Sequence, residues 1–163
     1  MTVILGIDPG SRKTGYGLIV SEGSHNTYLA HGCMHFRAGT LAERLQQIFA
    51  GISEIVQQYQ PTEAAVEQIF VHTNPQSALK LGHARGAALV ALNMPVSEYP
   101  ARVVKQAITG YGAASKLQIQ QMIKLFLKLS INIQEDAADA LGVALCHAHS
   151  RVLAKKLAWL QQK

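Results

Sequence analysis

At 163 residues and 48% hydrophobic, the chain has the length of one globular domain and can bury a full core without disulfide or metal staples. Two distant cysteines, Cys33 and Cys146, exclude a disulfide framework and predict reduced thiols. No apolar run is long enough to span a bilayer and no signal-peptide pattern opens the chain, so we expect one domain over residues 1–163, soluble, cytoplasmic and without membrane contact.

In chain order, Val3 to Gly10 (VILGIDPG) reads as a buried central strand that delivers one carboxylate, Asp8, to its own C-terminal edge. In open α/β sheets that edge is where ligands bind. A Gly/Ser turn returns the chain into a second strand, Thr14 to Val20, and Thr27 to Phe36 forms a third. Leu41 to Gln60 carries Leu41, Leu45, Ile48, Phe49, Ile52, Ile55, Val56 and Tyr59 at helical spacing, and Pro61 ends the helix. Glu63 to Glu67 repeats the logic of the first strand. A strand–helix–strand crossover sets it parallel to its neighbour and leaves Glu67 at a carboxyl edge.

The loop Gln68 to Asn74 exposes Phe70. Pro75 to Asn93 predicts a helix rich in small residues, in which Gly82 and Gly86 suggest close approach by the sheet or by a second subunit. Val96 to Tyr99 is a fifth strand, followed by a helix from about Pro100 and the break GYGAAS. Ser115 with Gln118 makes a capping-box start, and Met122, Ile123, Phe126 and Leu127 give the next helix its apolar stripe. A last helix starts near Gln134 and runs past Val152. Three antiparallel strands, then helix–strand–helix–strand–helices with acids at strand ends, predict an α/β fold of the ribonuclease-H-like kind: a mixed five-stranded sheet flanked by helices.

The chain has only three aspartates, and two of them, Asp136 and Asp139, stand three apart so that on a helix they share one face. Acids are favoured near a helix N-terminus in any case, but Ala137, Ala138, Ala140, Leu141, Val143, Ala144 and Leu145 make this helix nearly buried. Buried carboxylates need a cation, a proton or hydrogen bonds. We therefore expect Asp8, Glu67, Asp136 and Asp139 to converge on a metal site, where all-oxygen ligands select a hard ion, magnesium or manganese. Two such ions ~4 Å apart suit phosphodiester cleavage.

The charge distribution agrees. Net charge is +5, and from Gln68 to Gln134 the one acid, Glu98, faces Lys80, Arg85, Arg102, Lys105, Lys116, Lys124 and Lys128. A surface of this kind suits phosphates, or is a solvated basic face. His31, Cys33 and His35 alternate on one strand as soft-metal ligands do, but a polar strand face explains them and nothing in sequence supplies a fourth ligand. His147 and His149, two apart on a helix, point apart.

ILGIDPGSRKTGYG at Ile4 to Gly17, EQIF at Glu67 to Phe70, SALKLGHARG at Ser77 to Gly86 and DAADAL at Asp136 to Leu141 together resemble the RuvC-type Holliday-junction resolvases over most of the chain. The resemblance implies a homodimeric, magnesium-dependent endonuclease that nicks two strands of a four-way DNA junction symmetrically, leaving five-prime phosphate and three-prime hydroxyl ends. It implies two Mg2+ ions, replaceable by Mn2+, on Asp8, Glu67, Asp136 and Asp139. Lys105 and Lys116 would lie near the scissile phosphate and Phe70 against junction bases, and Lys80 and Arg85 are further candidates for DNA contact. A branch-migration helicase complex of RuvA and RuvB is the implied partner. The competing readings are a related nuclease of the same fold and an inactive junction-binding module. GIDPGS also resembles the phosphate loop of actin-like ATPases, which need two lobes where this chain has length for one.

Overall fold

A computed structural model describes residues 1–37, 39–68 and 74–161. In chain order the elements are β1 (Thr2–Asp8), β2 (Lys13–Glu22), β3 (His25–His35), α1 (Leu41–Tyr59), β4 (Glu63–Glu67), α2 (Pro75–Leu92), β5 (Val96–Tyr99), α3 (Ala101–Thr109), α4 (Lys116–Phe126) and α5 (Glu135–Gln161). The sheet runs β3-β2-β1-β4-β5. β1, β2 and β3 form an antiparallel meander, while β4 lies parallel to β1 and β5 parallel to β4. This is the mixed five-stranded arrangement expected from the sequence, with β1 near its centre.

Side chains alternate along a strand, and the two faces of β1 pack against different helices. Leu5 and Ile7 join Ile48, Ile52, Ala84 and Ala88 in a core under α1 and α2. Ile4 faces the other way, into a core with Ile108, Ile123, Leu141 and Leu145 from α3, α4 and α5. The second helical layer lies very close to the sheet. A Cβ built on Gly6 would fall 2.0 Å from the carbonyl oxygen of Ala140, and one on Gly15 would fall 2.0 Å from that of Asp136. Glycine at these two positions lets the α5 backbone rest on the backbone of β1 and β2.

Local signals set the helix ends. Thr40 and Glu43 close a capping box at α1, and Gln60 leaves it in the left-handed region at φ 48° before Pro61. Ser115 and Gln118 close the expected box at α4. The buried face of α4 is Ile119, Ile123 and Leu127, whereas Phe126 is exposed and meets the edge of His149. Of the expected stripe, Ile123 and Leu127 are buried and Met122 packs against the same core, so only Phe126 is corrected. Among the described residues, no atom lies near a Cβ added at Gly82 or Gly86, so the sheet is not what approaches them. Cys146 is buried, Cys33 is half-buried, and both thiols are free. Among the described residues, no helix is long and apolar enough to cross a membrane.

Candidate active site

Strand parity aims the first two carboxylates. Asp8 shares the parity of Ile4 and Gly6, the residues that face α5. Glu67 shares the parity of Ala65, which packs on Val104, Val143 and Cys146. Ile7 and Val66 are paired in the parallel register, so Asp8 and Glu67 end neighbouring strands on the same side of the sheet. The first two turns of α5, seated over Gly15 and Gly6, add Asp136 and Asp139 to that edge.

The electrostatics treat the four acids as one unit. Burial, then the charges of Asp139, Glu67 and Asp136, pushes the Asp8 carboxyl up to about 7, against the opposing pull of Lys116. Glu67 is raised by burial and then by Asp139, while Lys105 and Lys116 pull it down. Asp139 is raised by burial, opposed first by Lys116 and raised further by Glu135 and Asp136. Lys105 and Lys116 thus lie close enough for their charge to act on these carboxylates.

Two lysines answer part of this negative charge. Lys13 Nζ lies 2.5 Å from Asp136 Oδ2, and Lys116 pairs with Glu135 and lies 4.0 Å from Asp139 Oδ2. Consistent with this, no three His, Cys, Asp or Glu side chains among the described residues already close on a single ion. The donor chemistry still fits a hard divalent cation. Four carboxylates share one edge, and burial followed by the charge of its acidic neighbours pushes the most buried of them, Asp8, up to about 7, which a divalent cation at that edge would reverse.

The remaining candidates divide. Phe70 lies outside the described residues. Lys80 is exposed on α2 and Lys105 half-buried on α3. Arg85 turns its guanidinium inward. Its side chain is only 11% exposed, Nη1 donates to the carbonyl oxygen of Glu67 at 2.5 Å, and Nη2 pairs with Glu98 Oε2 at 2.6 Å. A guanidinium presents a fork that satisfies two acceptors at once, and here it ties α2 to the ends of β4 and β5. The next backbone N–H, of Gln68, donates to Tyr99 O at 2.8 Å and completes the clamp behind Glu67.

Sequence reasoning missed Lys13, Glu135 and Cys33 as site residues. A signal for Lys13 existed: a tight antiparallel return pairs Asp8 with Gly15 and so brings the start of β2 beside the carboxylate. Cys33, opposite Gly15 in the next strand, places its thiol 3.8 Å from Asp136 Oδ2. His31 is engaged by Tyr28 Oη at 2.9 Å. His147 belongs to a separate buried network, with Tyr99 Oη at 2.8 Å and Glu63 Oε2 at 2.7 Å on its two ring nitrogens, and Arg151 Nε 2.6 Å from the same Glu63 oxygen.

A family model described as "Crossover junction endodeoxyribonuclease RuvC" matches residues 4–147. A protein of that name from Psychromonas ingrahamii is 56% identical over 153 residues, covering 92% of this chain and 88% of its own. The structure of Thermus thermophilus RuvC in complex with a Holliday junction substrate superposes with a TM-score of 0.87 at 32% identity, covering 94% of this chain and 97% of that one. A second structure of Thermus thermophilus RuvC gives a TM-score of 0.82 at 33% identity, covering 91% of this chain and 95% of that one.

Proposed function

The chain belongs to the RuvC family of crossover junction endodeoxyribonucleases, and from that premise we propose how its own residues resolve a four-way DNA junction. It is a structure-selective endodeoxyribonuclease that nicks two strands of a Holliday junction symmetrically, leaving ligatable five-prime phosphate and three-prime hydroxyl ends, in recombination and repair. Residues 1–163 act as one nuclease domain, in keeping with both helical layers packing on the one sheet.

The observation that carries this reading is the placing of Asp8, Glu67, Asp136 and Asp139 at one carboxyl edge with Lys105 and Lys116 acting on them. These four acids are the proposed ligands of two Mg2+ ions, replaceable by Mn2+. When bound, such ions activate water and stabilise the leaving oxygen. Lys105 and Lys116 hold the scissile phosphate against the carboxylate edge and offset its charge. Arg85, through the Glu67 carbonyl, fixes where the β4 carboxylate stands. Phe70 is the proposed wedge against junction bases, and Lys80 a peripheral phosphate contact.

A homodimer matches the two-fold symmetry of a four-way junction. Its proposed interface is the outer face of α2, where Leu79 and Val90 are exposed and no described residue packs on Gly82 or Gly86. A RuvA and RuvB branch-migration complex is the proposed partner that supplies the junction.

The test is to incubate the protein with a branch-migrating four-way junction, linear duplex and an RNA–DNA hybrid, with magnesium and with chelator. Paired ligatable nicks confined to the junction and dependent on metal are expected. Cleavage of the hybrid instead would move the chain to a ribonuclease role, and junction binding without cleavage under any divalent metal would leave a structural module.

A further inference from the structure

β5 ends at Tyr99, which pairs with Glu67 in the parallel register, so the first turns of α3 leave the same edge that carries the carboxylates. α3 buries Val104 and Ile108. Arg102, Lys105 and Gln106, three and four residues apart, share another side of the helix.

The chain leaves α3 through a turn of fixed shape. Gly110 sits at φ 74°, in the region that favours glycine, and Thr109 Oγ1 accepts the N–H of Tyr111 at 3.2 Å while lying 2.9 Å from the carbonyl oxygen of Lys105. A Cβ on Gly112 would fall 2.8 Å from Arg102 Cγ and 3.2 Å from its Nε, so the Arg102 side chain lies across this glycine. Between helix and turn is a groove of about 510 Å3 lined by Arg102, Lys105, Gln106 and Tyr111 among others. Tyr111 is 65% exposed.

Three features of this groove point to one ligand chemistry. Neither Arg102 nor Lys105 is ion-paired with an acid among the described residues, so both cations are open to an anionic ligand in the groove. An exposed aromatic ring stands beside them on a turn that holds it in place, and a ring in that position offers a base a face to stack on. The elements that line the groove are tied to the carboxylates: α3 starts at their edge, and the chain beyond Ala113 returns to Lys116, beside Glu135 and Asp139. Lys105 bridges the two, since its charge also reaches Glu67 and Asp139.

We propose that this groove binds one nucleotide of the DNA strand running into the carboxylate site, with its phosphate on Arg102 and Lys105 and its base stacked on Tyr111. The proposal rests on the reading of the chain as a junction nuclease and adds a strand-positioning subsite to it. The groove reads no base edge, so it tolerates sequence and fixes only the path of the strand.

The experiment uses four-way junctions carrying 2-aminopurine at single positions on either side of the cut, with cleavage blocked by chelator, and compares the wild-type chain with Tyr111→Ala, Tyr111→Phe and Arg102→Gln. Wild type and Tyr111→Phe should quench the probe at one position. Tyr111→Ala should lose that quench and bind the junction roughly 5- to 150-fold more weakly. Arg102→Gln should reduce the slope of log affinity against log salt by about 0.7 to 0.9. Unchanged quench and affinity in Tyr111→Ala would overturn the groove alone if the wild type still cuts the junction, as would a loss in Tyr111→Phe as deep as in Tyr111→Ala. A wild type that neither binds nor cuts the junction would remove the nuclease reading and the groove together.

Discussion

Lys13 Nζ stands 2.5 Å from Asp136 Oδ2, so a lysine from the start of β2 is the nearest positive charge to one of the four proposed metal ligands. A divalent ion bound at that edge would compete with this ammonium for the same carboxylate. The pair is half exposed on the lysine side, and exposed ion pairs contribute ~1 kcal/mol or less. Lys13→Met should therefore tighten Mn2+ binding by up to about fivefold, read by calorimetry without DNA. Weaker binding in the variant would show that Lys13 supports the site rather than competing for it.

The Asp8 carboxyl, raised to about 7 by burial and its acidic neighbours, makes the metal-free protein sensitive to pH in an unusual direction. Between the unfolded value near 3.8 and the folded value near 7, the native chain holds a proton that the unfolded chain has released. Stability in chelator should thus be highest at the acid end of that window and fall as pH rises through it, by on the order of 2–4 kcal/mol. Asp8→Asn should flatten this dependence and raise the melting temperature at pH 8 without metal. It should also keep junction binding and abolish cleavage. A melting temperature that climbs from pH 5 to pH 8 in chelator would contradict the assignment.

Arg85 ties the Glu67 carbonyl to Glu98 from a nearly enclosed position. Arg85→Ala leaves both acceptors without a partner, which should cost roughly 1–3 kcal/mol in denaturant unfolding. It should slow cleavage at saturating junction more than it weakens binding, and Arg85→Lys should recover only part of either because an ammonium cannot span both acceptors. Lost junction affinity with unchanged stability and unchanged maximal cleavage would instead make Arg85 a DNA contact.

Among the described residues, Gly86 faces open space. Gly86→Leu should leave the folded protomer as stable or raise it by up to ~1 kcal/mol through helix propensity. If α2 forms the dimer interface, the same change should shift the species in sedimentation from dimer toward protomer at micromolar concentration. A dimer that persists would exclude this face.

The parts of the fold legible in the sequence were those written in short-range pattern. The aliphatic run before Asp8, the helical spacing of Ile48, Ile52 and Ile55, and the Ser115–Gln118 box each depend on neighbours within a few residues, and each formed as read. The four carboxylates were legible because strand ends and a helix start are local features, and topology then brought them to one edge. What escaped depends on partners far along the chain. Arg85 reads as a surface base until Glu98 and the Glu67 carbonyl are beside it, and Lys13 reads as a turn residue until Asp136, on the last helix, is laid over the hairpin. His147 is one step from looking like a surface residue of a long helix, yet Tyr99 and Glu63 enclose it.

The contact of α5 with Gly6 and Gly15 carries a consequence for how such a chain tolerates change. Where aliphatic side chains separate two layers, a lost or added methylene can be absorbed by neighbours that shift rotamer. Between Gly6 and Ala140, or Gly15 and Asp136, no side chain intervenes to absorb anything. The spacing between the strand that bears Asp8 and the helix that bears Asp136 and Asp139 is thereby gauged by main chain against main chain. The aliphatic interior can drift in sequence while the carboxylate edge keeps its dimensions, but a single methyl group at either glycine would pry the two halves of that edge apart.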